Sequence, residues 1–121
     1  MHTTRPEILS VITITQAMLQ PGGTEEIRLL AESCGYRVLA DLVVRVRSGL
    51  PGSGKLAELA EIRESSGCDF FILAHDLAPS RKRTFENTVG CPVMTRTELI
   101  LEIFARRART SIARQQVELA R

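Results

Sequence analysis

Three times in this chain, a glycine ends an amphipathic segment and a short apolar run follows it. The glycines lie in Ser33-Cys34-Gly35, Ser66-Gly67-Cys68 and Val89-Gly90-Cys91. Glycine suits the left-handed backbone position that closes a helix. The apolar runs that follow are short, which is typical of buried strands; they cover residues 38–46, 70–73 and 92–94.

A β-branched run, Ile8 to Thr15, precedes the first helical segment, so strand and helix alternate in the order βαβαβαβα. This alternation predicts an α/β fold whose parallel sheet has right-handed crossovers and helices on both faces. We expect a four-stranded parallel sheet with the strand order 2-1-3-4. A length of 121 residues is that of a single domain with a core of its own.

The last helical segment is too long for the predicted sheet. Thr95 and Glu98 form a capping box that opens this helix, and an apolar stripe continues to Ala108. Residues 109–121 add polar turns with few apolar side chains. We therefore expect an α/β subdomain over residues 1–108 and a protruding C-terminal helix over residues 109–121.

The loop from Ser48 to Lys55 resembles a phosphate-binding P-loop. Gly49, Gly54 and Lys55 have the required spacing, but Leu56 stands where a P-loop has the Ser or Thr that contacts magnesium. Three interpretations stay open: a small P-loop-like nucleotide-binding protein that uses Gly49 to Lys55, an anion or RNA-backbone contact at a helix start, and a plain strand-to-helix turn. The residues of the anion- or nucleotide-binding hypothesis are Gly52, Ser53, Gly54 and Lys55.

Positive charge is concentrated at the C-terminal end of the chain. Residues 96–121 hold six basic and three acidic side chains, whereas residues 1–95 hold ten and eleven. Fourteen of the sixteen basic residues are arginine, which binds phosphate groups in a fork. The candidate RNA contacts are Arg81, Lys82, Arg83, Arg96, Arg106, Arg107, Arg109 and Arg114. The alternative is a solvated helix face.

Other classes of function lack support in the sequence. The three cysteines are far apart and form no CxxC pair, so we expect reduced core thiols and neither a disulfide frame nor a metal site. No apolar stretch approaches the roughly 20 residues of a membrane span, and no signal peptide is recognisable, which predicts a cytoplasmic protein with no membrane partner. His75 has no recognisable nucleophile beside it, so we predict no catalytic residues.

The stretch from Arg96 to Thr110, followed by 116–120, resembles the HflX family of ribosome-associated GTPases, in the domain that precedes their G domain. Three further segments agree with this resemblance: residues 29–36, 52–59 and 76–80. The resemblance implies an α/β subdomain followed by a helical hairpin, whose first helix would begin with residues 109–121.

The resemblance also implies a function. This chain would be a ribosome-binding and rRNA-binding module that is not an enzyme by itself, with the large ribosomal subunit and its own G domain as partners. GTP and magnesium would bind only in the G domain, which has no counterpart in these residues, although weak ATP binding by the N-terminal region is implied. An alternative from the residues themselves is a scaffold that forms a homodimer through Ile112, Val117 and Leu119 of the C-terminal helix.

Overall fold

The computed structural model describes residues 8–17, 23–47 and 49–119, with side chains for all of these except 47 and 113–119. Its strands, numbered along the chain, are β1 (Ser10–Gln16), β2 (Arg37–Val44), β3 (Val46–Arg47), β4 (Leu50–Pro51), β5 (Phe70–Leu73) and β6 (Val93–Met94). Its helices are α1 (Gly23–Ser33), α2 (Ser53–Ser66), α3 (Pro79–Val89) and α4 (Arg96–Leu119). Among the described residues, none of the helices combines the length and the hydrophobicity that a membrane span requires.

Four strands form one parallel sheet in the order β2-β1-β5-β6. In terms of the four predicted strands this order is 2-1-3-4, so the predicted α/β fold and topology are confirmed. The central strands β1 and β5 are buried along most of their length, because helices cover the sheet on both sides.

Side chains alternate between two cores, one on each face of the sheet. On one face, Ile12 and Phe71 pack with Leu59 of α2 and Phe85 of α3. On the other face, the core contains Val11, Phe70 and Ile72 of the sheet with Ile27 and Ala31 of α1 and Leu99 and Ile103 of α4. The helices thus lie in pairs, α2 with α3 and α1 with α4, as the prediction of helices on both faces requires.

The predicted second strand, residues 38–46, is interrupted in the structure. β2 ends at Val44, and β3 then pairs with β4 as a short antiparallel hairpin. Gly49 lies between these two strands with φ +84°, a left-handed conformation that few residues other than glycine adopt. Residues 49–55 of the predicted loop therefore complete a hairpin and enter the first turn of α2, and this hairpin is an addition to the predicted alternation.

The predicted helix boundaries are confirmed where local chemistry sets them. Gly67 and Gly90 end α2 and α3 with φ values of 71° and 81°. At the start of α4, the backbone N–H of Thr95 donates to Glu98 Oε1 at 2.9 Å, and the backbone N–H of Glu98 donates to Thr95 Oγ1 at 3.3 Å. These reciprocal bonds are the capping box expected from the sequence.

α4 continues well beyond the part that packs on the sheet. Its 24 residues span about 36 Å, yet among its described side chains the buried ones, Leu99 and Ile103, lie within the first eight residues. Leu101, Phe104 and Ile112 are each more than half exposed. The helix continues through residue 108 without a break, so its geometry does not mark a boundary there. The division of the chain into 1–108 and 109–121 stays a prediction.

Candidate functional site

The predicted anion-binding residues, Gly52 to Lys55, lie at the start of α2. Gly52 precedes the helix in an extended conformation, and no side chain caps the helix start. The first intrahelical bond is donated by Leu56 N to Gly52 O at 2.9 Å. The amides of Ser53, Gly54 and Lys55 therefore come before the ladder of intrahelical hydrogen bonds, as the first amides of any helix do.

Two contacts determine what this helix start offers a ligand. Lys55 Nζ donates to Glu58 Oε2 at 2.6 Å, so its charge is partly neutralised within the helix. Leu56, at the position where a P-loop has its hydroxyl, is buried in the core formed with α3. This turn thus presents backbone amides and no hydroxyl for a magnesium ion at that position.

His75 and Asp76 follow β5 at the carboxyl edge of the sheet and connect neighbouring elements. His75 Nε2 is 2.9 Å from the carbonyl oxygen of Gly49 in the hairpin. Asp76 accepts bonds from the Thr97 backbone N–H at 3.0 Å and from its hydroxyl at 2.7 Å. These two bonds to Thr97 lower the pKa of the Asp76 carboxyl. Both residues hold backbone segments in place.

The basic cluster at the start of α3 divides into one paired side chain and two unpaired ones. Lys82 Nζ donates to Glu98 Oε2 at 2.8 Å, which joins α3 to α4. Arg81 and Arg83 are exposed and have no carboxylate partner among the described residues. The two arginines are therefore available to an anionic partner.

The arginines of α4 also differ in their surroundings. Arg96 pairs with Glu26 of α1, and Arg109 Nη2 lies 3.3 Å from Glu102 Oε1. Arg107 is exposed and has no carboxylate partner within the described part of the chain. The side chain of Arg114 lies outside the described residues.

Arg106 holds α4 against the turn between α1 and β2. Its Nη1 donates to the carbonyl oxygen of Cys34 at 2.8 Å, and its Nε donates to Glu102 Oε1 at 3.0 Å. Its guanidinium carbon also lies 5.0 Å from the centroid of the Tyr36 ring. The predicted RNA contact of Arg106 stays a prediction, but the side chain already has a role inside the fold.

Sequence reasoning missed the residues that contact Arg106. Glu102 lies four residues before Arg106, a helical spacing that favours an ion pair and could have been noticed. Tyr36 is 70 residues away in sequence, and no local pattern predicts its contact with Arg106.

A groove of about 420 Å³ lies beside Arg106 and Arg107, between the end of α1 and α4. Its remaining lining residues are Ser33, Cys34, Ile103, Thr110 and Ser111. The described residues contain no group of His, Cys, Asp and Glu side chains placed to hold a metal ion. All three cysteines are buried, as expected of core residues, and none is bonded to another.

Comparisons with known proteins identify a family for this chain. The family model described as "GTP-binding GTPase N-terminal" matches residues 23–105, about two thirds of the chain. The GTPase HflX of Escherichia coli (strain K12) is 37% identical over 100 residues, which cover 79% of this chain and 24% of that protein. The GTPase HflX of Chlamydia pneumoniae is 41% identical over 101 residues, which cover 79% of this chain and 21% of that protein.

Solved structures show the same fold. A crystal structure of SsGBP in complex with GDP superposes with a TM-score of 0.67 at 22% identity, covering 93% of this chain and 34% of that chain. A mutation variant of SsGBP gives a TM-score of 0.64 at 20% identity, covering 93% and 39%. The chain spans about a quarter of the length of the curated relatives named above. It therefore belongs to the GTP-binding GTPase N-terminal family and is an N-terminal domain of the HflX type.

Proposed function

We propose that this chain is the ribosome-binding and rRNA-binding module of an HflX-type GTPase, or of a truncated paralogue, and that it catalyses no reaction by itself. The observation that carries the proposal is the set of exposed arginines, Arg81, Arg83 and Arg107, in a chain of this family. None of the three has a carboxylate partner among the described residues, so each can contact a phosphate without breaking an ion pair.

Phosphate contacts of this kind supply affinity without reading sequence. Each neutralised phosphate releases counterions, which makes the binding fall steeply as salt rises. Arg81 and Arg83 belong to α3 and Arg107 belongs to α4, so the proposed surface includes both helices. The exposed large hydrophobic side chains include one aromatic residue, Phe104. The proposal therefore relies on phosphate contacts and not on a platform of stacked bases.

The remainder of the proposal follows from the family. GTP and magnesium bind in a G domain that lies outside these residues, and that G domain is an intramolecular partner of this module in a full-length protein. The large ribosomal subunit is the intermolecular partner, which places the protein in the cytoplasm.

Sedimentation of the chain with purified large ribosomal subunits tests this function. We expect the chain to pellet with the subunits at 50 mM salt and to remain in the supernatant at several hundred millimolar, because counterion release contributes less to the affinity as salt rises. Absence from the pellet even at 50 mM salt would contradict ribosome binding by this chain.

The other interpretations of the sequence stay predictions with tests of their own. Nucleotide binding through Gly49 to Lys55 requires heat on titration with magnesium-ATP or magnesium-GTP that Lys55→Ala abolishes. A homodimer through the C-terminal helix requires a molecular mass that doubles with concentration. Ile112 is 54% exposed, as that dimer needs, whereas the side chains of Val117 and Leu119 lie outside the described residues.

A further inference from the structure

The two edges of the parallel sheet differ in whether their outward-pointing backbone groups are hydrogen-bonded. At the β6 edge, the outward N–H of Val93 donates to Glu86 Oε2 at 2.9 Å, and the N–H of Thr95 donates to Glu98 Oε1 at 2.9 Å. Carboxylates thus occupy the donors that an added strand would need. Blocking of this kind is how proteins protect a sheet edge from unwanted pairing.

The β2 edge has no such protection among the described residues. Val44 accepts a bond from the N–H of Ala17, which fixes the side of β2 that faces β1. Because peptide groups alternate along a strand, the N–H and C=O groups of Asp41 and Val43 point away from β1. No described side chain bonds to these groups, and Val43 is 59% exposed.

The side chains along this edge favour pairing as well. Leu39 is 41% exposed at the position where the register with β1 shifts. The one carboxylate of the strand, Asp41, is bonded to the Thr13 hydroxyl at 2.5 Å and faces Arg28 of α1, so it does not repel an incoming chain. An exposed apolar edge strand with open peptide groups is a template for an added strand.

The charges beside β2 determine the chemistry of the partner. Arg37 begins the strand and Arg45 follows its end; both are exposed and have no carboxylate partner among the described residues. Seven residues lie between them, and the eight steps of extended chain from one to the other span about 26 Å. An antiparallel second copy would bring Arg37 of each chain towards the Arg45 end of the other, which like-charge repulsion disfavours.

We propose that the β2 edge binds an extended protein segment by strand addition, with apolar side chains in its centre and a carboxylate at each end. The inference goes beyond ribosome binding, since it uses none of the arginines of α3 or α4. Backbone bonds to Asp41 and Val43 supply the pairing, and Arg37 and Arg45 select the acidic ends.

A designed peptide tests the proposal on the whole 121-residue chain. The probe is a nine-residue peptide of alternating valine and threonine with glutamate at each end, and its match has lysine at both ends. We expect the acidic peptide to shift the amide resonances of Asp41 and Val43 and to bind at least tenfold more tightly than the lysine peptide. Equal binding of the two peptides, or shifts confined to other elements, would overturn it.

Variants of the edge separate strand addition from other contacts. Val43→Pro removes an outward N–H that β1 does not use, so we expect about a tenfold loss of peptide affinity. Val43→Thr keeps the N–H and should bind as the parent does. Unchanged binding by folded Val43→Pro contradicts the proposal. If Val43→Pro does not fold, Arg37→Glu with Arg45→Glu replaces it and must reverse the preference between the two peptides.

Two measurements on the chain alone exclude other occupants. Amide exchange at Asp41 and Val43 should be fast without peptide; slow exchange in a monomer would mean that this chain already covers the edge. Sedimentation should give a monomer, and a dimer that Val43→Pro dissociates would assign the edge to a second copy. Competition by an RNA oligonucleotide for the same amides would assign it to nucleic acid. Each of these three results overturns the proposal.

Discussion

Replacing Arg106 with alanine should destabilise the fold, because this side chain joins α4 to the turn between α1 and β2. The change removes a charged hydrogen bond to the Cys34 carbonyl of 2.8 Å, worth about 1 kcal/mol at a half-exposed site. It also removes the stacking on Tyr36 at 5.0 Å, worth about 0.5–1 kcal/mol, and the Glu102 ion pair, worth about 0.3–0.5 kcal/mol. We expect a total loss of about 2 kcal/mol in the free energy of unfolding.

Urea unfolding followed by circular dichroism measures this loss. In a separate thermal melt, the melting temperature should fall by about 8 °C. Arg109→Ala is the matched control, since Arg109 also bonds to Glu102 but is 64% exposed, and it should cost less than about 0.5 kcal/mol. A stability of Arg106→Ala equal to that of the control, together with weaker ribosome binding, would refute the structural role and favour the RNA contact predicted from the sequence.

Three further predictions concern pH and the hairpin. Burial raises the pKa of Tyr36 to about 12, so the stability that its neutral phenol contributes is complete below pH 10 and is lost as pH rises to 12. The difference in unfolding free energy between the parent and Tyr36→Phe should therefore change between pH 10 and pH 12. A difference that stays constant over that range would contradict this prediction. The pKa of Asp76 is lowered by its bonds to Thr97. Because Asp76 is exposed, solvent screens these bonds, so Asp76→Ala should cost only about 0.5 kcal/mol at pH 7, and urea titrations should show this cost shrinking as pH falls below the ordinary value of 3.8. Gly49→Ala should cost about 1–2 kcal/mol in the same assay, because φ is +84° and the new Cβ would lie 2.7 Å from Leu77 Cδ1. Gly54→Ala is the control: no atom lies within 4 Å of its Cβ, so this change should not destabilise the fold.

The order of strands and helices could be predicted because local residues set it. Gly67 and Gly90 close helices by adopting positive φ, and Thr95 with Glu98 opens α4, whatever the rest of the chain does. The periods of the apolar side chains then assign each segment to a strand or a helix. The right-handed crossover rule and the short connections leave few topologies, and 2-1-3-4 is the one observed.

The hairpin of β3 and β4 could not be predicted from its own residues. Each of its strands has two residues, too few for a recognisable period. Its position depends on contacts with the segment after β5, where His75 Nε2 meets the Gly49 carbonyl. The sequence therefore indicated a loop with a P-loop-like spacing. In the structure, Leu56, which stands at the Ser or Thr position of a P-loop, is buried in the core.

The candidate interface was predicted only in part, for a similar reason. Sequence reasoning identified the basic residues of α3 and α4 but treated them alike. Pairing separates them: Lys82, Arg96 and Arg106 bind side chains or backbone on other elements, and Arg81, Arg83 and Arg107 do not within the described residues. Which arginine has a partner depends on long-range packing, and this packing cannot be predicted from the composition.

The salt dependence of binding to large ribosomal subunits tests the central claim most directly. The slope of log affinity against log salt should decrease in magnitude by about one unit in Arg83→Gln and again in Arg107→Gln, because each variant removes one phosphate contact. Ser65→Glu lowers the net charge by the same amount at an exposed position of α2 and should leave the slope unchanged. Equal slopes for the parent and both arginine variants would contradict the proposed RNA-binding surface.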